Sequence, residues 1–129
     1  MKILCMIVFL SLLGGCASKL YYFGDYSESL YAYKKTPNEK TMKKHTDELK
    51  DIIQESKDKN IRVPPGIYCE YAYMLLQQGK KDDALQQIQL EEQTYPESRT
   101  FTTRLRNMIV SGSKGPTEST INSIPKEHQ

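Results

Sequence analysis

Residues 66–98, GIYCEYAYMLLQQGKKDDALQQIQLEEQTYPES, decide the fold of this chain. Apolar side chains recur at helical spacing on both sides of a polar turn that contains Gly79. Asp82 or Asp83 is placed to cap the second helix, and Pro96 ends it. The stretch therefore predicts two amphipathic helices joined by a short turn.

The spacing of this helical hairpin resembles a tetratricopeptide repeat. The resemblance rests on the bulky, small and proline positions of the repeat, which the sequence fills with Tyr68, Tyr71, Ala72, Leu75, Ala84, Ile88 and Pro96. It implies that Ala72 and Ala84 lie where the two helices approach closely and larger side chains would clash.

Glu91 departs from the repeat, which normally has a small apolar residue at this position. Because an unpaired buried charge is costly, a buried Glu91 requires a partner. Arg99, Arg104 or a tyrosine hydroxyl are the candidate partners. In the alternative interpretation the helix is slightly rotated and Glu91 is solvated.

Three further helices are predicted around the hairpin, because a single repeat cannot bury its own apolar faces. They cover residues 25–34, 39–59 and 98–110. Ser98 is the expected N-cap of the last helix, whose predicted buried side chains are Phe101, Leu105, Met108 and Ile109. The predicted fold is all-α: a tetratricopeptide-like hairpin with flanking helices, about five helices in all, over residues 25–110. Residues 111–129, rich in Ser, Gly and Thr, are predicted to form a disordered tail.

An export signal that ends in a cysteine is predicted before this domain. Residues 3–13 are uncharged, and at about 1.5 Å per residue they reach only about 16 Å, roughly half of what a transmembrane helix crosses. The sequence Leu13-Gly14-Gly15-Cys16 that follows resembles a bacterial lipobox. The resemblance implies removal of the signal peptide, residues 1–15, with a diacylglyceryl group on Cys16 and an acyl chain such as palmitate on its new amine. The alternative is an ordinary cleaved signal with a coincidental cysteine.

The residue after the cysteine directs the sorting of such lipoproteins. Ala17 is permissive for the outer membrane, so the resemblance implies a lipid-anchored bacterial outer-membrane protein that faces the periplasm. Residues 16–24 then form the lipidated N-terminus and a short tether. Only residues 17–20 separate Cys16 from an aromatic cluster, and at 3.3–3.6 Å each they reach about 14 Å at most. The tyrosines of that cluster either rest among lipid headgroups or pack on the first helix.

Charge and cysteine content argue against several classes of function. Without the signal, 17 basic and 16 acidic residues remain, which is not the basic surplus that nucleic-acid binding needs. Cys5 leaves with the signal and Cys16 is lipidated, so Cys69 is a lone thiol that we expect to be buried. His45 and His128 lack metal-ligand spacing. We therefore predict a protein that is not an enzyme, with no catalytic residue, no metal, and no cofactor besides the covalent lipid.

Three local patterns resemble an uncharacterised family of small Gram-negative outer-membrane lipoproteins. They are Leu20-Tyr21-Tyr22-Phe23-Gly24-Asp25-Tyr26 with Leu30-Tyr31, then Pro64-Pro65-Gly66, and then Glu91 leading to Tyr95-Pro96-Glu97-Ser98. The resemblance covers about residues 16–110, with one departure, since Trp is common where Phe23 stands. It implies a structural role for Glu91. It also implies a partner at the outer membrane, because genes of the family tend to lie beside those of lipoproteins similar to the curli secretion channel.

Two functions are predicted from these features. The first is an interaction or scaffold module that assists an outer-membrane secretion or assembly complex. Its candidate structural or interaction residues are Tyr26, Tyr68, Tyr71, Leu75, Glu91, Tyr95 and Pro96. Of these, Tyr68, Tyr71 and Leu75 lie either near a concave binding surface or in the core. The alternative function is an envelope accessory protein that binds glycan or anionic lipid through a basic helix face, formed by Lys34, Lys35, Lys40, Lys43 and Lys44.

Overall fold

The computed structural model describes residues 20–112, and this part of the chain contains five α-helices, one short 3₁₀ turn and no strand. The elements are α1 (Tyr26–Lys35), α2 (Glu39–Asp58), α3 (Ile67–Gln77), α4 (Lys81–Thr94), the 3₁₀ turn (Pro96–Ser98) and α5 (Arg99–Val110). The predicted all-α class is confirmed. The predicted signal peptide, Cys16 and residues 113–129 of the predicted tail lie outside the described residues.

The longest helix, α2, has a strong local start and one buried face. At its N-terminus the Asn38 side chain accepts a hydrogen bond from the Thr41 N–H at 2.9 Å, and the Asn38 N–H donates to the Thr41 hydroxyl at 3.1 Å. This reciprocal pair satisfies two donors that the helix itself leaves free. Leu49 and Ile52 on its inner face are fully buried. Capping fixes where α2 begins, and its apolar stripe fixes which face packs.

Close packing joins helices that are consecutive in the chain: α1 packs on α2, α2 on α3, α3 on α4, and α4 on α5. The most extensive of these interfaces lies between α3 and α4, which are the two helices of the predicted hairpin. Contact between sequence neighbours is typical of helical-repeat architectures. Each of α2, α3 and α4 therefore packs on both the helix before it and the helix after it.

The core consists of two apolar clusters, one on each side of α3. Between α2 and α3 and the loop that joins them lie Leu49, Ile52, Ile53, Val63, Ile67, Tyr68 and Met74. Between α3, α4 and α5 lie Ala72, Leu75, Ala84, Ile88 and Ile109. Ala72 and Ala84 are fully buried, which fits the close approach expected at these positions. The helix α3 is thus the centre of the fold.

The start of α3 depends on a glycine. Gly66 precedes the helix with a φ of 87°, in the left-handed region that residues with a Cβ rarely adopt. No atom lies within 4 Å of the place where a Cβ would stand, so backbone conformation rather than space requires glycine here. Val63 and the neighbouring Pro64 are buried, and the loop therefore reaches Gly66 along a fixed path.

Three local predictions differ from the structure. Neither Asp82 nor Asp83 caps α4, because the helix begins at Lys81, and both carboxylates instead lie in its first turn, near the positive end of the helix dipole. Ser98 stands before α5, but its hydroxyl donates to the Tyr95 carbonyl at 2.7 Å rather than capping. Phe101 is 58% exposed, because the buried side of α5 carries Thr102, Leu105 and Ile109.

Replacement of Ile88 tests the second apolar cluster. Ile88→Ala removes three buried carbon atoms from a fully enclosed site. We expect the free energy of unfolding to fall by about 2–4 kcal/mol, from lost burial and from the cavity left behind. The matched control is Val110→Ala, at a site that is 61% exposed, which should change it by less than about 0.5 kcal/mol. Urea denaturation followed by circular dichroism measures both, and equal losses would contradict the assignment of this cluster.

Candidate functional site

A chain of four polar side chains runs through the junction of α1, α2 and α3. Ser29 Oγ lies 2.9 Å from His45 Nδ1, and His45 Nε2 lies 3.0 Å from Glu70 Oε1. The Tyr26 hydroxyl donates to Glu70 Oε2 at 2.6 Å. We call Tyr26, Ser29, His45 and Glu70 the polar cluster. It contains one group from α2, one from α3 and two from α1, so it joins all three helices.

Aromatic rings enclose the histidine of the polar cluster. The Tyr33 ring stacks on His45 with centroids 5.9 Å apart and planes at 10°, and the Tyr26 ring lies at 5.8 Å and 51°. Tyr26, Ser29 and Tyr33 share one face of α1 because they are three and four residues apart. His45 lies on the same face of α2 as Leu49, and both are fully buried. Helical spacing alone therefore places these side chains together.

The order serine, histidine, glutamate is that of a nucleophilic triad, but its surroundings differ from those of a catalytic site. Ser29 and His45 have no exposed surface. The Ser29 hydroxyl also lies 3.0 Å from the Tyr26 carbonyl oxygen in its own helix. Neither surface groove described below is lined by either residue. A nucleophile must reach its substrate, so we interpret the polar cluster as a tie between helices.

The Glu70 carboxyl group of the polar cluster has a lowered pKa. Burial raises the pKa of Glu70, but hydrogen bonds from His45 and Tyr26 outweigh this effect and hold the pKa below its ordinary value. Burial and the adjacent Glu70 carboxylate raise the pKa of Tyr26. At neutral pH the pair is thus a carboxylate that accepts and a phenol that donates, which matches the observed contact.

A second carboxylate, that of Glu91, is enclosed at the start of α3. Glu91 is only 3% exposed, and its Oε1 accepts a hydrogen bond from the Gly66 N–H at 2.8 Å. Its Oε2 has no hydrogen-bond partner among the described residues. The predicted partners Arg99, Arg104 and a tyrosine hydroxyl are therefore wrong, and so is the solvated alternative. A backbone N–H at a helix N-terminus serves instead, because these N–H groups have no partner inside the helix.

The pKa of Glu91 moves in the opposite direction from that of Glu70. Burial raises the pKa of Glu91, and the backbone N–H groups of Gly66 and Tyr68 offset this rise only in part. One carboxylate oxygen is satisfied and the other is not, so the charged form of Glu91 is costly where it stands.

Tyr95 and Pro96 join the end of α4 to the loop before α3. The Tyr95 ring is buried, and its hydroxyl donates to the Val63 carbonyl at 2.6 Å. The Arg62 guanidinium lies 5.6 Å from the centre of that ring. Pro96 begins the 3₁₀ turn and is exposed. Tyr95 therefore has a structural role, and Pro96 directs the chain into α5.

The three residues considered for a concave surface lie mainly inside the protein. Tyr68 belongs to the first apolar cluster and Leu75 to the second, and each is about 5% exposed or less. Tyr71 is half-buried and packs against both clusters. The core interpretation therefore holds for Tyr68 and Leu75, and neither provides an open binding surface.

The predicted basic helix face also carries acidic side chains, some of which pair with its lysines. Lys43 pairs with Asp47 at 2.6 Å, and Lys44 pairs with Glu28 at 2.8 Å, in both cases on the exposed surface. Lys35 lies 5.7 Å from the centre of the Tyr31 ring. A shallow groove of about 420 Å³ along α2 is lined by Lys40, Lys43, Lys44, Asp47, Glu48 and Asp51. The surface around the five lysines, which also include Lys34, thus carries charges of both signs.

A larger groove of about 690 Å³ lies between α4 and α5 and was not predicted. Glu92 in its lining accepts hydrogen bonds from Arg99 at 3.2 Å and from Arg106 at 2.7 Å. The lining also includes three glutamines of α4, which are Gln86, Gln89 and Gln93. Leu85, Pro96 and Val110 complete it. The sequence signal for this groove was the spacing of the three glutamines, which are three and four residues apart and therefore lie along one side of α4.

The polar cluster was also missed, although part of its signal was in the sequence. Ser29 and His45 are polar residues at positions where the apolar stripes of α1 and α2 continue, and such positions require hydrogen-bond partners once buried. Glu70 gave no such signal, because the helix dipole already favours an acidic residue in the first turn of a helix.

Other chemistry is limited in the part of the chain that the structure describes. Residues 20–112 contain no group of three or more His, Cys, Asp or Glu side chains able to hold a metal ion. No helix in the same range is long and apolar enough to cross a membrane. Cys69 is buried as predicted, and burial raises its pKa to about 12, so its reactive thiolate is disfavoured.

Comparison with known protein families gives a match over most of the described residues. The model of a domain of unknown function, DUF4810, matches residues 20–105, which is nearly the whole described domain. No curated protein matches the chain, and no solved structure matches it.

Glu70→Gln tests the polar cluster through pH. The folded pKa of Glu70 lies below its ordinary value of 4.5, so its contribution to stability is present above pH 4.5 and is lost as pH falls through the folded pKa. The amide removes a charged acceptor, and at pH 7 we expect the free energy of unfolding to fall by about 2–3 kcal/mol. Urea denaturation between pH 7 and pH 3 should show a smaller acid-dependent loss in the variant. Asp51→Asn, at an exposed site on α2, is the control and should keep the wild-type slope.

Glu91→Gln should have the opposite pH signature. The folded pKa of Glu91 lies above 4.5, so the stability it contributes is present below pH 4.5 and is lost as pH rises through the folded pKa. The amide oxygen of Gln can still accept from the Gly66 N–H without a buried charge. Relative to wild type, we expect Glu91→Gln to gain stability between pH 4 and pH 7, measured by urea denaturation. Glu91→Ala leaves that N–H unpaired and should lose about 1–3 kcal/mol at pH 7. Equal losses in both variants would contradict this role of Glu91.

Proposed function

We propose that this chain, which belongs to the DUF4810 family, is a lipid-anchored scaffold protein at the periplasmic face of a bacterial outer membrane. The observation that carries this proposal is the lipobox-like Leu13-Gly14-Gly15-Cys16, only four residues before Leu20, where the described fold begins. Several acyl chains anchor durably where one is marginal, since each buried CH₂ contributes about 0.8 kcal/mol. The protein would then remain at the membrane and act through what it binds.

The helical stack supports an interaction role rather than an enzymatic one. Packing between consecutive helices leaves long helix faces available for partners. The buried Ser29 and His45 and the half-buried Glu70 bind one another, and the buried Glu91 binds backbone, so these groups are engaged in holding the fold. What remains on the surface is the groove between α4 and α5 and the exposed helix faces. These features suit recognition of another protein.

The partner that we propose is another outer-membrane lipoprotein within a secretion or assembly complex. The resemblance described above implies a protein similar to the curli secretion channel. A short tether favours such a partner, because it keeps both proteins at one membrane and raises their effective concentration.

The alternative, binding of glycan or anionic lipid through the five lysines, has weaker support. Two of the five, Lys43 and Lys44, are paired with carboxylates, and acidic residues line the groove beside them. Exposed pairs of this kind are weak, so an anionic polymer can still compete for the lysines. Steep salt dependence of binding would favour this alternative, because salt screens exposed charges.

Crosslinking in intact cells followed by detergent extraction tests the proposal. Native protein and Cys16→Ser are compared, with Cys5→Ser as the matched control that removes a cysteine from the predicted signal instead. We expect one envelope protein to be recovered with native protein and with Cys5→Ser, and to be lost with Cys16→Ser. Recovery with all three would mean that the helical domain binds by itself. Recovery of no specific protein with any of them would contradict the scaffold role.

A further inference from the structure

Two apolar side chains are exposed where the chain enters the domain. Leu20 is 72% exposed and Phe23 is 48% exposed, whereas Tyr21 and Tyr22 between them are half-buried. The Tyr22 ring packs against the first apolar cluster, and the Phe23 ring contacts the Tyr21 ring edge-on at 6.2 Å. The tyrosines therefore support this segment from inside, and the two most apolar side chains face outward.

Cationic side chains lie at the same end of the molecule. The Lys59 ammonium stands 4.1 Å from the centre of the Tyr22 ring, and Arg62 stands over the Tyr95 ring. Lys59 remains exposed beside its partner Glu55. We call Leu20, Phe23 and Lys59 the entry surface. Apolar and aromatic groups beside a long cationic side chain are the composition that favours a membrane–water interface.

The length of chain before Leu20 identifies what can cover the entry surface. Four residues after Cys16 reach about 14 Å at most when fully extended. If Cys16 is acylated, Leu20 cannot move farther than this from the bilayer surface. The predicted lysine-rich face extends away from the entry surface along α2. Glu48, which accepts from the Asp25 N–H at 2.7 Å, lies one turn from Lys44, whereas Lys40 is nineteen residues before Lys59, or about 28 Å at 1.5 Å per residue. The tether therefore brings the entry surface to the membrane and leaves the Lys40 end of the lysine-rich face farthest from it.

We propose that the entry surface rests in the interface of the phospholipid bilayer that holds the lipid anchor. Leu20 and Phe23 insert among headgroups and upper acyl chains, and the Lys59 ammonium stays at phosphate level. The α1–α2 turn then points away from the membrane, with the Lys40 end of the lysine-rich face directed toward the periplasm. This inference rests on the lipid anchor of the proposed function and adds the orientation in which the domain is held.

The chain contains no tryptophan, so one introduced indole reports on one position. Phe23→Trp places it on the entry surface. Tyr31→Trp is the matched control, also aromatic for aromatic, at an exposed site of α1 beside the N-terminal half of α2. The full-length acylated protein is reconstituted into phosphatidylethanolamine–phosphatidylglycerol vesicles that contain brominated lipid. Mass spectrometry verifies the acyl chains, and circular dichroism verifies helix content in both variants.

We expect brominated lipid to quench the Phe23→Trp indole several-fold more than the Tyr31→Trp indole, and aqueous iodide to show the reverse order. Equal quenching by lipid, or stronger quenching of the Tyr31→Trp indole, would overturn the inference. If the acyl chains are present but only iodide quenches the Phe23→Trp indole, the entry surface is free for a protein, and the lipid anchor still stands. If Cys16 carries no acyl chain, the anchor and the orientation both fail.

Discussion

The arrangement of α1, α2 and α3 depends on the hydrogen bonds that the Glu70 carboxylate accepts. One of its oxygens binds Tyr26 of α1 and the other binds His45 of α2. A carboxylate can only accept hydrogen bonds, so His45 must carry a proton on Nε2, and Nδ1 is left to interact with Ser29. A shift of any one helix would leave a buried polar group unpaired, at a cost of about 1–3 kcal/mol. Apolar packing between consecutive helices sets their distance, and the polar cluster sets their register.

Glu70 and Glu91 stand at the two sides of the first turn of α3 and use their charge differently. Glu70 belongs to α3 and is fully paired through side chains of the two preceding helices. Glu91 comes from α4 and reaches back to the Gly66 N–H, with one oxygen unpaired. Gly66 is also where the chain requires a positive φ, so the carboxylate and the glycine act on the same peptide. The opposite pKa directions of the two carboxylates follow from these partners: full pairing favours the charged form, and burial with half pairing disfavours it.

Helical periodicity predicted most of the fold, and it failed where a side chain's partner comes from distant sequence. The apolar stripe of α2 and the hairpin of α3 and α4 followed from spacing, because burial of one helix face is a local property. The partner of Glu91 did not, since the Gly66 N–H is twenty-five residues away and backbone groups carry no sequence signal. Phe101 was assigned to the core for its hydrophobicity, yet Thr102 is buried in its place. Thr102 can be buried because its hydroxyl lies within hydrogen-bond distance of the backbone carbonyl oxygens of Ser98 and Arg99, one turn earlier. A helix with several apolar residues has more than one possible buried face, and only its neighbours decide between them.

The buried polar groups stabilise the fold, so the scaffold role that we propose requires a partner site on the exposed surface. Each helix packs most extensively on its neighbours in the chain, and α5 is the last helix within the described residues. Phe101 and Val110 are exposed on opposite sides of α5, and the helix carries three arginines and no acidic residue: Arg99, Arg104 and Arg106. Glu92 of α4 holds two of these arginines, so the groove between α4 and α5 has a fixed polar floor beside exposed apolar side chains. The groove thus combines hydrogen-bonding groups with apolar side chains on the surface, and it lies apart from the ties around Glu70 that join α1, α2 and α3.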